Sequence, residues 1–469
     1  MNNAMLESAV KKNVAAPTEI SRDLAQHIAG LRYEDLPDYA VRAAKQFMLD
    51  TLAVAWAGSN SPGCADAHAM LADEGGRADG TVWAYGGKLP APAAAFANSM
   101  FAAALDFDSL GRDAPSHVNI VVLPAALALA ERRHVSGKEF LTALVAGSDL
   151  MCRLGVACES QGPSKGWFYT SVHGVFGSVA ASARLMGLDA DGIRNAIGIA
   201  FSQAAGTQQA NIEPSLTKRM QSGFASRSGV FAALLAARGL TAPRAVFEGQ
   251  FGLFKLYQEG DAARLLDGLG SRFENGNLSI KKFPSCGCNH TALAGALQLT
   301  AEHDLQPDDI ESIEVEVSPF INRLVGGDFD PSGDPQVAAQ FNIRYSIACA
   351  ITRRKFGLAE LENDAVYDPG IGALIERIKV VVDPKNKGNR GPIELRIRSR
   401  KHGNIACRVE HVPGSDEWPL SEREVADKCR ECFALGVRPF TDKQTDLIMQ
   451  RVANIEQTAD MAEFFKDLL

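Results

Sequence analysis

A small set of polar residues sits inside otherwise apolar runs, and their side chains can move protons or hold anions. Asp106 and Asp108 lie in the run LDFDSL. His117 precedes VNIVVLP, and His173 lies in SVHGVFG ahead of a glycine-flanked helix. Lys218 lies in LTKRMQSG; Lys281, Lys282, Cys286 and His290 share the run KKFPSCGCNH. Histidine exchanges protons near neutral pH without help from its surroundings. Lysine ammonium groups bind carboxylates and stabilise developing negative charge. A buried carboxylate beside them would decide how far their pKa values move. Each residue also has a structural reading: an Asp at a helix end forms turns or caps, a lysine before a helix is usually solvated, and a histidine beside an apolar helix is often a hydrogen-bonded core residue.

Other familiar chemistries have no support. The chain has no G-x-G-x-x-G and no G-x-x-x-x-G-K-[ST], the loops that cradle nucleotide phosphates. It has no G-x-S-x-G elbow. Asp328, Asp330, Ser332 and Gly333 imitate the start of a calcium loop, but the twelfth position is Ala339 where a bidentate Glu is needed. A turn is expected there. Cys286, Cys288 and His290 form a C-x-C-x-H cluster without a second ligand pair at a zinc-site spacing. Cys429 and Cys432 form a C-x-x-C inside a predicted helix, without a βαβ pattern before it. No metal is expected at either place.

Composition narrows the partners. The 469 residues carry 48 Lys and Arg against 56 Asp and Glu, a net charge of −8, and 46% are hydrophobic. Such a chain can build a large core and is not disordered. The acidic balance argues against nucleic acid and anionic membranes as partners. It is compatible with a small anionic substrate in a local basic pocket. The longest apolar run, 118–130, is interrupted by Asn119 and Pro124, short of the ~20 residues of a spanning helix. The N-terminal run MNNAMLESAVKKNVAAPTEI lacks a signal-peptide core. A soluble cytoplasmic protein is expected, with its nine cysteines reduced.

The elements that must position these residues are mostly helical over the first 270 positions. Pro37 starts one predicted helix, and Val41, Ala44, Phe47, Met48 and Leu52 follow at helical spacing. Further helices are predicted at 92–105, 123–133, 138–155, 174–186 and 223–238, several of them apolar on most faces and therefore buried. Near Leu278 the pattern changes. Ile310, Ile313, Val315 and Val317 sit among acidic residues as in a strand; 378–383, 393–397 and 407–412 are three more strand candidates. Helices are predicted between them at 290–303 and 337–353, and after them at 421–435 and 441–453. The fold class read from this is mainly α with an inserted α+β domain: 1–276 and 403–469 form a helical part, and 277–402 a smaller α+β part.

The order of the runs LDFDSL, the His before VVLPAALALA, GWFYTSVHGVFGSVAASARLMGLD, TKRMQSGFASRSGVFAALLAARGLTAP, IKKFPSCGCNHTALAGAL, AAQFNIRYSIACAI and PGSDEWPLSEREVADK resembles the MmgE/PrpD family, over about residues 20 to 460. That family includes 2-methylcitrate dehydratase, cis-aconitate decarboxylase and iminodisuccinate epimerase. The resemblance implies a helical domain from both chain ends, a smaller α+β lid, a homodimer, and an active site between the domains that uses no metal or organic cofactor. It places Asp106, His117, His173, Lys218 and Lys281 at the matching polar positions, with Cys286 and His290 as substrate-binding neighbours.

The activities share a carbanion next to a carboxylate. On this resemblance Lys218 and Lys281 bind substrate carboxylates, His117 and His173 act as base and acid on opposite faces of the reacting carbon, and Asp106 orients one histidine or contacts a substrate hydroxyl. His173→Gln is then expected to abolish turnover. The chain departs from the family where dehydratases and decarboxylases read close to DFDDT: it has Ser109 and Leu110. Val118 and Asn119 follow His117 where Pro-Ser or Pro-Gly is common, and Cys286 stands where the decarboxylase branch has histidine. Arg344 offers one more cation, or is a surface arginine. These features put dehydration of a 2-hydroxy polycarboxylate first, epimerisation of a substituted succinate second and decarboxylation behind both. A non-catalytic carboxylate-binding protein is the reading of a different class.

Overall fold

The computed structural model describes residues 20–112, 116–158, 166–213 and 215–469. Among the helices of the first part are α1 (Ile20–Gly30), α2 (Asp38–Gly58), α3 (Ala91–Ala103), α4 (Asn119–Arg133), α5 (Gly137–Ala157), α6 (Tyr169–Leu185), α7 (Ala190–Phe201) and α8 (Thr217–Ala236). Pro37 precedes α2 and Pro92 sits in the first turn of α3, as a residue without a backbone N–H should. α5 starts on a reciprocal cap in which Ser136 and Glu139 satisfy each other's backbone N–H groups.

α6 lies at the centre, packed against α4, α5, α7 and α8. The α5–α6 crossing is close because both helices present glycine there. A Cβ on Gly147 would fall 2.6 Å from the Gly177 carbonyl oxygen, well inside van der Waals contact. α5 is itself long and apolar enough to cross a membrane by composition, which the interrupted run 118–130 did not suggest. Its apolar window is 94% buried inside the fold, so α5 is a core helix here.

The second part holds α9 (His290–His303), β1 (Ile310–Val317), α10 (Ile343–Arg353), β2 (Ile378–Val382), β3 (Ile393–Ser399) and β4 (Gly403–Val409). The sheet order is β2-β1-β3-β4, with β1 and β2 parallel and the other pairs antiparallel. Ile310, Ile313, Val315 and Val317 are buried along β1. The expected boundary at 402 falls in the turn between two paired strands: Ser399 is opposite Gly403, and the sheet continues to Val409. The tail helices α11 (Glu422–Phe433) and α12 (Asp442–Ala453) return to α2. There Trp56 meets Phe433 and Phe440, with ring centroids 6.0 and 4.0 Å away.

One small feature ties the two parts together. Leu110–Gly111 pairs antiparallel with Leu278–Ser279. That pairing brings the LDFDSL run alongside the KKFPSC run.

Candidate active site

The loop after α3 carries the central carboxylate. Asp106 adopts φ +49°, a left-handed conformation that costs a non-glycine residue energy and tends to persist where surrounding contacts enforce it. Those contacts come from two lysines. Lys281 Nζ, just beyond the short strand pair, donates to Asp106 Oδ2 at 2.7 Å and to the Asp106 carbonyl at 2.6 Å. Lys218, in the first turn of α8, donates to the other carboxylate oxygen. Burial opposes ionisation of Asp106, but Lys218, Lys281 and His117 outweigh it and hold the carboxyl well below the usual carboxylate range. Burial likewise works against the Lys281 ammonium; Asp106, Asp108 and Cys286 more than offset it and raise its pKa.

Asp108 points from the same loop to the second feature. Its Oδ2 lies 2.8 Å from His117 Nδ1, and the His117 backbone N–H donates to Thr170 Oγ1. A carboxylate at Nδ1 selects the tautomer that carries its proton there and leaves Nε2 as the base. His117 Nε2 lies 3.9 Å from Asp106 Oδ1, so the base and the lysine–carboxylate cluster share one wall. Asp108 is the residue that sequence reasoning noticed without assigning a role; its signal was the i, i+2 pair of aspartates in an apolar run.

These groups open onto a cavity of about 390 Å³ lined by Asp106, His117, Lys218, Lys281 and Cys286. The size is in the range of small-molecule sites, roughly 300–1,000 Å³. Lys218, Lys281, Arg112, Arg323, Lys387 and Arg390 also place six cations on the described wall against the single carboxylate of Asp106. In a chain of net charge −8 this local reversal of sign focuses anions into the site. The four cations beyond the two lysines were not singled out from sequence, because basic residues in loops look solvated. Arg344 does not line the cavity; it donates to the Gly326 carbonyl and faces Asp328.

Cys286 sits on the wall with its backbone N–H bonded to the Gln340 carbonyl. A hydrogen bond from Cys288 lowers its thiol pKa, and Lys281 adds to that effect against the opposing influence of burial and Asp106. His173 and His290 are off the wall. His173 is buried behind Tyr169, with their rings stacked at 5.3 Å and its Nε2 3.5 Å from Cys158 Sγ. His290 packs edge-on against Phe283, with Nε2 3.3 Å from the Ser285 carbonyl, so it supports the turn that presents Cys286. Of the three histidines expected at the substrate, His117, His173 and His290, only His117 reaches the cavity. His173→Gln is accordingly expected to lower kcat less than His117→Gln does, by about tenfold if its effect is that of a supporting residue. Side-by-side kinetics of the two variants check this.

Residues 22–266 match the MmgE/PrpD N-terminal domain and residues 283–455 the MmgE/PrpD C-terminal domain. The chain belongs to the MmgE/PrpD family. Relatives include the cis-aconitate decarboxylase-like protein oryM of Aspergillus oryzae, 27% identical with 95% of this chain and 96% of the relative covered. The cis-aconitate decarboxylase of Aspergillus terreus is 28% identical over 77% of this chain and 78% of its own. The human cis-aconitate decarboxylase is 26% identical over 94% and 92%. Together these support a carboxylate-acting lyase. Within this MmgE/PrpD chain, Asp106, Asp108 and His117 offer ligand atoms within 4.8 Å of one another, a set with cation-binding potential. The ammonium groups of Lys218 and Lys281 already occupy both oxygens of Asp106 and compete with any such cation.

The burial of His173 and His290 makes stability depend on pH. Burial pushes His173 down to about 4, against the Gln258 side-chain oxygen, which favours the protonated ring and raises it. Burial and Lys281 push His290 down to about 3. Unfolded, both titrate near 6.5, roughly the free imidazole value. Between these limits the unfolded chain binds more protons than the fold, so stability falls as pH drops from about 6.5 and stops falling, for each residue, below its folded value. Denaturation from pH 6.5 to 4 is expected to show a shallower slope for His290→Gln, by up to about 1.4 kcal/mol per pH unit. An unchanged slope would mean that His290 is not the neutral buried group described.

Proposed function

We propose that this chain is a cofactor-independent lyase for a small di- or tricarboxylate, and that its reaction is dehydration of a 2-hydroxy polycarboxylate resembling 2-methylcitrate. The observation that carries the reading is the Asp108–His117 pair on the same cavity wall as Lys218 and Lys281. His117 Nε2 removes the proton from the carbon next to a carboxylate, and Asp108 stabilises the imidazolium that forms. The lysines bind that carboxylate and stabilise the enolate-like charge. Hydroxide then leaves the neighbouring carbon, with Cys286 as the acid that protonates it. Arg323, Lys387 and Arg390 hold the remaining carboxylates.

A second reading has its own support. Relatives that carry the name cis-aconitate decarboxylase favour loss of carbon dioxide from an unsaturated tricarboxylate. The same lysines would stabilise that carbanion, and His117 as imidazolium would protonate it. Cys286, in place of the decarboxylase branch's histidine, weighs against this reading. Proton NMR in heavy water, with hydroxy and unsaturated tricarboxylates supplied in parallel, separates the two. Dehydration gives reversible vinylic signals from the hydroxy acid and conserves every carboxylate. Decarboxylation consumes the unsaturated acid irreversibly and places deuterium on the product carbon. Exchange with inversion and no new skeleton would point to epimerisation instead. Silence in a folded protein would give the lead to non-catalytic carboxylate binding.

A further inference from the structure

The run PGSDEWPLSEREVADK ends on a lysine that the proposed chemistry does not use. Lys428 lies on α11, and its neighbours Val425, Cys429, Cys432 and Phe433 are buried at helical spacing. An ammonium group therefore sits on the apolar stripe of an amphipathic helix, where leucine would be the ordinary choice. The helix comes from the far end of the chain, yet the side chain ends beneath the Asp106 loop. Lys428 Nζ donates to the Phe107 carbonyl at 2.8 Å and to the Lys281 carbonyl at 3.0 Å. It pairs with Asp50 of α2 at 2.6 Å and lies over the Phe107 ring, 4.0 Å from the centroid.

Those two carbonyls belong to the segments that make the site. Phe107 stands between Asp106 and Asp108, the two carboxylates that hold the lysines and His117. The Lys281 carbonyl belongs to the residue whose ammonium group clamps Asp106. One buried cation thus joins the loop to its partner segment from below, while Lys281 joins them from the side through the Asp106 carbonyl. The strand pair that aligns the segments is only two residues long on each side. With the Arg112 N–H bond to the Asn277 carbonyl that continues it, the pairing begins at Leu110 and does not reach the Asp106–Asp108 backbone. We infer that Lys428 is a positioning residue: it sets the relative placement of the Asp106–Asp108 loop and Lys281 through those two carbonyls, and Asp50 serves to neutralise it.

The inference rests on the lyase reading for its kinetic assay, so its test carries a second readout that needs no substrate. Asp50→Asn removes the buried carboxylate and leaves Lys428 with its two carbonyls; kcat is expected to stay within about threefold of wild type. In D50N/K428M no charge is left buried without a partner, and the helix keeps an apolar side chain of similar length. Its kcat is expected to fall about 10–100-fold against D50N, the scale for loss of a supporting contact, with KM moving less than about threefold. Alkylation of Cys286 by iodoacetamide against pH, resolved from Cys288 on the shared peptide by fragment ions in tandem mass spectrometry, reports where the Lys281 charge lies. Displacement of Lys281 is expected to move the midpoint upward in D50N/K428M relative to D50N.

If no substrate is found for wild type, the lyase reading fails and the thiol profile still decides the positioning role. Identical kcat and thiol profiles in D50N and D50N/K428M would overturn it, as would a loss in D50N equal to that in the double variant. Should that double variant not fold, D50N/K428Q decides: its amide reaches one carbonyl, and an intermediate loss of kcat with a smaller upward thiol shift is expected against D50N. Behaviour of D50N/K428Q identical to D50N would overturn the assignment.

Discussion

His117→Gln is expected to lower kcat by about 10²–10⁴-fold, the range for loss of a positioned acid–base group, with KM little changed. The residue is buried except where it meets the cavity, and its backbone N–H is fixed by Thr170. Glutamine keeps that backbone bond and much of the side-chain volume, but it cannot take up a proton near neutral pH. Asp108→Asn tests the same assignment from the other side. An amide in place of the Asp108 carboxylate can donate to Nδ1, which puts the imidazole proton on Nε2 and removes the base without removing the ring. The two single variants and their double should then lose similar amounts of kcat, because each disables one unit. Steady-state kinetics on all three, with melting curves to show that each is folded, check this. A His117→Gln enzyme within threefold of wild type would take His117 out of proton transfer.

Much of this arrangement was legible in the sequence, and the parts that were not have physical reasons. Helices such as α5 and α6 are apolar on most faces, so their burial was readable from composition alone. β1 alternates from Ile313 to Val317 because only one face is buried there, while the register shift at Ile310/Ser312 leaves Glu311 and Ser312 both exposed. β4 gave a weak signal, since only Val409 is fully buried and the rest of the strand is half-exposed or exposed. The sequence pattern therefore marks a strand only from 407, four residues after its observed start at Gly403. The polar residues Asp106, His117, Lys218 and Lys281 stood out because charge inside apolar runs is costly without partners. What sequence could not give is the pairing of Leu110–Gly111 with Leu278–Ser279, which has no pattern of its own and yet brings Asp106 to Lys281. The depth of His173 was equally hidden. The pattern places it just ahead of a helix at 174–186, whereas the helix begins at Tyr169 and carries His173 inside it, stacked behind Tyr169 and off the cavity wall. Asp50 and Lys428 were not singled out from sequence: they lie 378 positions apart, and no local rule joins them.

Lys281→Met carries the second large effect, because one ammonium group serves both the fold and the chemistry. In wild type the two carboxylate oxygens of Asp106 are shared between Lys218 and Lys281, all three side chains being buried. Their stabilisation is in place above about pH 4, the ordinary carboxyl range, and is lost as pH falls through the lowered Asp106 value. Removing one partner of a buried pair costs about 3–5 kcal/mol, and the surviving Lys218 should hold the loss toward the lower end. Changing the carboxylate as well, in D106N/K281M, leaves no uncompensated negative charge and is expected to recover most of that stability. Activity should behave differently. The cation that would stabilise charge on the substrate is absent from both proteins, so kcat/KM is expected to fall about 10²–10³-fold in each. Urea denaturation of the four members of the cycle gives the coupling between Asp106 and Lys281, and kinetics on the same proteins give the catalytic loss. Recovery of stability without recovery of turnover would separate the two duties of Lys281. Recovery of both in the double variant would mean that Lys281 only neutralises Asp106, and the anion-binding role would pass to Lys218 and the arginines of the wall.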